Sequence, residues 1–270
     1  MINLDKIKQF SKSIRIEILN ASFRAGSSSA HIGGAMSSVD IVSVLFNKYI
    51  NFPLKKNWND RDRFILSKGH ACLVLYSTLF LKGLISKKQF LSFEKNNSQF
   101  PGHPVRNIKY GIEQTTGSLA MGLSSGVGIA LGAKLKDQNF KTFVLIGDGE
   151  CNEGAIWEAA MTASKYNLSN LTVILDNNKF QQTGTNSEIL NIKNLKNAWM
   201  SFGWDVFSVN GHDIVQLIKS FEKKTKKPKL ILAKTIKGKG VSFFENNNDW
   251  HHATLTSENY KKALKILKYK

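Results

Sequence analysis

Two continuous apolar runs, Thr142 to Ile146 and Leu171 to Leu175, constrain this chain more than any other feature. The first stops at Gly147-Asp148-Gly149 and the second at Asp176-Asn177-Asn178. Strands that are apolar throughout must be covered on both faces, which predicts an α/β fold: a parallel sheet with helices on either side. Between the runs, Ile156, Ala159, Ala160 and Ala163 share one helical face, and Asn152 is placed to cap that helix. Further strands are expected at Phe64 to Leu66, Asp205 to Val209 and Leu230 to Lys234.

Helical spacing fills the intervals. Leu4, Ile7, Phe10, Ile14 and Ile18 form one stripe. A second helix is expected to start at Ser37 or Ser38 and run through Val39, Val42 and Phe46. Ala71 to Lys82 reads as a buried helix ended by Gly83, and Ser86 with Gln89 makes a capping box for the next. Ile214, Leu217, Ile218 and Phe221 mark another helix, and Ser257 to Lys268 a short last one. Gly126 and Ala130, at four-residue steps after Gly122, would let a helix pack closely against a neighbour, inside the chain or outside it. No internal repeat, low-complexity block or linker interrupts the alternation. Residues 1–270 therefore read as a single domain with a C-terminal helical tail near 257–268.

With 38 Lys+Arg against 20 Asp+Glu the net charge is +18, which raises the question of nucleic acid. The lysines are scattered, however, and the densest stretch, Lys223 to Lys229, falls at an expected helix end where cations suit the dipole. No arginine–aromatic array accompanies them, so a solvated basic surface is expected, with no specific nucleic acid partner. Two cysteines, Cys72 and Cys151, cannot by themselves make a disulfide framework or a zinc site. No apolar run approaches the roughly 18 residues of a membrane span. Charged residues break up Met1 to Ile18, so no secretory signal is expected and the cytoplasm is the expected location.

In an open parallel sheet, ligands sit outside the carboxyl ends of the strands. Asp148 and Asn178 lie at two such ends, separated by 30 residues. That is about one βαβ unit, so the two tips should be neighbours. Glycines on both sides of Asp148 let backbone amides approach a diphosphate, and the following helix, opened by Glu153-Gly154, points its positive end there. A carboxylate and an amide oxygen are hard ligands suited to Mg²⁺. A dinucleotide fingerprint is absent, and Lys237-Gly238-Lys239-Gly240 is not a P-loop. Four of the six histidines, His31, His70, His103 and His251, sit in glycine- or proline-rich loops at element ends, which suits proton shuttling. His212, before a helix, reads as a packed or surface residue.

The pieces Ser29-Ala30-His31-Ile32-Gly33, Asp62 to His70, Gly102-His103-Pro104, Gly111 to Leu119, Gly147-Asp148-Gly149 with Glu153-Gly154, Asp176-Asn177-Asn178-Lys179, and Lys239-Gly240 with Trp250-His251 occur in one order. In that order the chain resembles the N-terminal, diphosphate-binding half of transketolase over nearly all its length. It is similar to the free-standing N-terminal subunit found where transketolase is split in two. The resemblance implies the thiamine diphosphate-binding fold. It assigns Mg²⁺, with Ca²⁺ or Mn²⁺ able to substitute, to the side chains of Asp148 and Asn178 and the main-chain oxygen of Phe180. It places Gly149 and His70 on the diphosphate beside Gly147, and the backbone of Gly117, Ser118 and Leu119 along the aminopyrimidine. It gives Glu153 the bracing of the diphosphate turn or of the contact between subunits.

It further implies transfer of a two-carbon ketol unit from a ketose to an aldose, sugars or sugar phosphates, with the cofactor storing the electron pair as the carbon–carbon bond breaks. His31, His103 and His251 would line the substrate channel. His31 and His251 would take the proton from the hydroxyl that becomes the released aldehyde, and His103 would hold a hydroxyl of the transferred unit. The glutamate that activates the cofactor belongs, in the resembled enzymes, to a C-terminal pyrimidine-binding module, for which no room follows Trp250-His251. The expectation is a chain inactive alone, completed by a second polypeptide in a two-plus-two assembly. The sequence departs from the family at Ile32, Ala120-Met121 and His252, where proline, Gly-Gln and glycine are usual, which bears on substrate more than cofactor. Ala30-His31-Ile32-Gly33 is similar to split transketolase-like proteins of surface-sugar biosynthesis. A 2-oxo acid dehydrogenase α-like subunit shares the Gly-Asp-Gly turn but not the Gly-His-Pro, Thr-Thr-Gly and Trp-His pieces. A deoxyxylulose phosphate synthase-like role is disfavoured on the same grounds. A non-catalytic basic binding protein is the alternative from another class.

Overall fold

A computed structural model describes residues 3–52 and 61–269. Five strands, β1 (Arg63–Leu66), β2 (Thr142–Gly147), β3 (Leu171–Asn177), β4 (Asp205–Asn210) and β5 (Lys229–Lys234), form one sheet in the order β1-β2-β3-β5-β4. Every neighbouring pair is parallel. Gly147 stands opposite Asp176, and Asp176 opposite Ala233, so the tips of β2, β3 and β5 end side by side. The helices are α1 (Leu4–Ala25), α2 (Ile32–Ser37), α3 (Val39–Val44), α4 (Cys72–Leu81), α5 (Lys87–Phe90) and α6 (Met121–Leu135). They continue with α7 (Gly154–Lys165), α8 (Asn186–Ile189), α9 (Leu195–Ser201), α10 (Ile214–Glu222) and α11 (Ser257–Tyr269).

β1, β2, β3 and β5 are apolar along most of their length, whereas the edge strand β4 carries Asp205, Ser208 and Asn210 and is half-exposed; in the buried strands successive side chains go to different cores. Phe64, Leu66, Phe143, Leu145, Ile174 and Ile231 join a cluster with α1, α3, α4 and α10. Ile65, Val144, Ile146, Val173, Leu175, Leu230 and Leu232 join a second cluster with α6, α7 and α9. The period of two is intact, but because both faces are buried it leaves no polar alternation to read. Among the described residues no helix is long and apolar enough to cross a membrane.

One expected cap is corrected and one helix start is refined. A helix does start at Ser38, the N-cap position of α3, but the Ser38 hydroxyl makes no capping bond and the short helix α2 precedes it from Ile32. The hydroxyls of Ser37 and Ser38 donate to the buried Asp176 carboxylate. Asn152 ends a 3₁₀ turn, Gly149–Asn152, and its amide donates to Leu190 O at 3.0 Å, so Glu153 takes the N-cap position of α7. The lysine-rich stretch lies beyond α10, and Lys229, inside β5, returns its ammonium to Phe221 O at 3.0 Å. The capping box of Ser86 and Gln89 is present, and Gly83 follows α4 with φ +73°.

The close packing expected of α6 is internal. A Cβ at Gly126 would meet Val144 Cγ2 at 2.5 Å, whereas one at Gly128 would meet nothing within 4 Å. Gly126→Ala should therefore cost about 1–3 kcal/mol through overpacking. Gly128→Ala should gain about 0.5–1 kcal/mol by lowering backbone entropy in the unfolded chain. Urea midpoints at unchanged m-value check the pair; shifts of the same sign would refute the account.

Candidate active site

The tips of β2 and β3 open on a cavity of about 390 Å³. Its wall holds His31, His70, His103, His251, Gly117, Leu119, Gly147, Asp148, Gly149, Glu153, Asn178 and Phe180. Of the residues singled out from sequence, Ser118 is exposed and off this wall. A wider hollow of about 620 Å³, between α1, α10 and α11, shares no residue with it.

The floor is a hydrogen-bonded charge network. Asp148 Oδ2 accepts from Lys179 N (2.6 Å) and from the Asn186 side chain (2.9 Å), and Oδ1 from Gly149 N (2.9 Å). Burial, reinforced by the nearby Asp176 charge, pushes the Asp148 carboxyl up to about 6. Asn178 Oδ1 accepts from Phe180 N at 3.0 Å while its amide donates to Asp176 Oδ2 at 3.3 Å. Asp176 is fully buried and takes bonds from Ser37, Ser38, Thr235 and the Lys68 ammonium. Burial alone would raise this carboxyl, but Lys68 and the hydroxyl donors hold it below its ordinary value. Asn186 Oδ1, beside Asp148, is buried with no partner among the described residues.

Glu150 is the residue that braces the turn, and nothing in the sequence reading pointed to it. Its carboxylate is buried and accepts from Ser67 Oγ, from Ala120 N (2.7 Å) and from Gly147 N (3.0 Å). Glu153 is exposed at the rim, and its side chain makes no capping bond to α7. The amides of Gly147 and Gly149 are thus engaged by carboxylates rather than left open as an anion cradle. Gly69 brings the His70 loop against Gly117, since a Cβ there would lie 2.7 Å from Thr116 C.

The imidazoles converge around His31. Its ring centre lies 5.6 Å from His70, 5.4 Å from His103, 5.4 Å from His251 and 4.4 Å from His252. An antiparallel bridge between Ala30 and Ala253 brings the two segments together. Lys237, 1% exposed, donates to Gln181 O (3.0 Å), to Asn248 Oδ1 and to His251 Nδ1 (2.9 Å). Burial, with repulsion from Lys68, pushes Lys237 down to about 8. An ammonium only donates, so His251 Nδ1 must accept and the ring hydrogen sits on Nε2. His212, by contrast, is locked away from the cavity: Nε2 accepts from Ile236 N (2.9 Å), so Nδ1 donates to Asp40 (2.8 Å).

Burial, with charge from neighbouring imidazoles and Lys237, lowers His31 to about 4. Burial and then Lys237 lower His251 to about 3, and burial with Lys68 holds His70 well below its ordinary value. The unfolded chain binds protons on these rings below pH 6.5 and the folded chain does not. Their contribution to stability is therefore whole above that pH and is lost as pH falls toward 4 for His31 and 3 for His251. NMR titration of the chain should give midpoints near these values; either ring titrating near 6.5 would refute the packing described.

The family profile described as "Transketolase, thiamine diphosphate binding domain" matches residues 7–270. One subunit of the apulose-4-phosphate transketolase of Phocaeicola vulgatus is 41% identical over 239 residues, 87% of this chain and 85% of that protein. The 6-deoxy-6-sulfo-D-fructose transketolase subunit SqwG of a Clostridium species is 37% identical over 238 residues, 87% of this chain and 86% of that protein. The solved transketolase of Campylobacter jejuni superimposes with a TM-score of 0.93 at 33% identity, covering 99% of this chain but 43% of that one. The chain thus spans about two fifths of the solved transketolases it matches. With its parallel sheet, its paired tips and these matches together, the chain belongs to the transketolase family, as a thiamine diphosphate-binding domain whose relatives include separately named transketolase subunits.

Proposed function

We propose that this chain is the diphosphate-gripping half of a two-chain transketolase-type enzyme, moving a two-carbon ketol unit from a ketose to an aldose with thiamine diphosphate and Mg²⁺. The observation that carries the reading is the facing of Asp148 and Asn178, on adjacent strand tips, into the same cavity as four imidazoles. The donor set fits a small hard cation: a buried carboxylate under repulsion from Asp176, a carboxamide oxygen, and the Asn186 oxygen left without a partner beside them. Asp148 and Asn178 would hold the ion, with the Phe180 main chain adjacent on the same wall. Bound there, the cofactor would supply the electron sink for carbon–carbon cleavage.

The chain's own residues divide the proton work. His251, with its hydrogen on Nε2, donates toward a substrate oxygen rather than abstracting from it. His31, neutral and central among the rings, is the acceptor for the hydroxyl proton released as the aldehyde forms. His103, exposed at the rim against Gly117, holds a hydroxyl of the transferred unit.

A partner of the pyrimidine-binding kind would close the cavity, in a two-plus-two assembly. Supporting this, Ile189 and Leu190 stand 47% and 60% exposed on the cavity's wall, and two relatives of similar length are each named as one subunit of a transketolase. Calorimetry on the complex with the partner should show Asp148→Asn losing Mg²⁺-dependent thiamine diphosphate binding, at least about a hundredfold for a lost ion ligand. Unchanged binding would remove Asp148 from the site. The purified chain alone should give no ketol transfer; robust turnover without a partner would overturn the two-chain reading.

A further inference from the structure

A smaller recess of about 220 Å³ opens beside the histidine cluster and shares His31 and His103 with the main cavity. Its remaining polar wall is Ser28, Ser29, His252 and Glu94. Glu94 is the one lining side chain of Asp, Glu, Lys or Arg type among the described residues. Its placement is built into the backbone. The residue holds φ +55°, a left-handed conformation that costs an L side chain energy and is kept only where its surroundings impose it. Its N–H donates to Phe100 O at 3.3 Å, and its carboxylate lies on the Gly102-His103-Pro104 turn. A Cβ at Gly102 would stand 2.4 Å from Glu94 Oε1, which places the carboxylate directly against this turn. Among the described residues no cation pairs with it.

We propose, resting on the ketol-transfer reading, that this recess takes the part of a sugar substrate distal to its reacting carbonyl, and that Glu94 selects an uncharged, hydroxylated tail over one ending in phosphate or another anion. An anionic terminus seated here would face a carboxylate with no lining cation to offset it. Hydroxyl groups would instead find an acceptor in Glu94 and partners in the hydroxyls of Ser28 and Ser29 and the imidazole of His252.

The test uses the complex with the partner, hydroxypyruvate as common two-carbon donor, and D-erythrose against D-erythrose 4-phosphate as acceptors. The readout is how the ratio of kcat/KM values for the two acceptors changes between wild type and variant, so intrinsic aldehyde reactivity cancels. Glu94→Arg should raise the phosphorylated-to-unphosphorylated ratio about tenfold or more, as expected when a repulsive unit charge at a site is reversed. Glu94→Gln, of the same shape, should move the ratio in the same direction by less, mainly through KM, and guards against a folding defect in the arginine variant. A ratio unmoved in both variants while transfer persists would overturn the assignment of Glu94 and leave the ketol reading standing. No transfer to either acceptor by the wild-type complex would remove that reading, and this inference with it.

Discussion

The fully buried contact between Lys68 and Asp176 is the constraint on which the site depends. A carboxylate at the tip of β3 is held ionised inside the protein because an ammonium, three hydroxyls and the Asn178 amide converge on it. Those partners arrive from the exit of β1, the end of α2, the exit of β5 and the far side of the same tip. One charged group thus sets the mutual positions of four chain segments. Removing either ion would leave the other uncompensated, at a cost of about 3–5 kcal/mol. Packing alone would tolerate small slips of these loops. The network does not, because each slip strands a buried polar atom.

A second network steadies the neighbouring loop. Arg15 pairs with Asp40 through two bonds of 3.0 and 2.6 Å and also donates to Lys239 O, while His212 bridges Asp40 to Ile236 N. Thr235, reaching Asp176, anchors the start of the same loop. Lys237 therefore reaches His251 behind the cavity wall from a segment held at both ends. Burial first, and then the charges of Lys237 and Lys68, keep His31, His70 and His251 neutral, and a neutral ring is the form that can accept a proton.

The strands and the pairing of Asp148 with Asn178 were legible in the sequence because uniformly apolar runs have few ways to be buried and end sharply. Which side chain of β2 faces which helix layer was not legible, since Phe143 and Val144 are equally apolar and go to opposite cores. The hydroxyl partners of Ser37 and Ser38, and the role of Asn152, were hidden for a related reason. The short polar side chains that cap helices also serve buried carboxylates and distant carbonyls, and sequence does not reveal the partner. The burial of Lys68, Glu150 and Lys237 was not legible, because the general rule places such residues outside. Their positions within strand-exit motifs, Lys68 before Gly69-His70 and Glu150 directly after Gly149, were the available signals.

The contact between Lys237 and His251 has a directional consequence. While Lys237 keeps its ammonium form, the inner nitrogen of His251 is occupied, a single nitrogen is left to face the cavity, and the ring does not invert without surrendering that bond. With its inner nitrogen accepting, the neutral ring lends its Nε2 hydrogen to a substrate oxygen as a hydrogen bond and does not release it. A substrate entering for the return leg therefore has to present an accepting oxygen where the departing one stood.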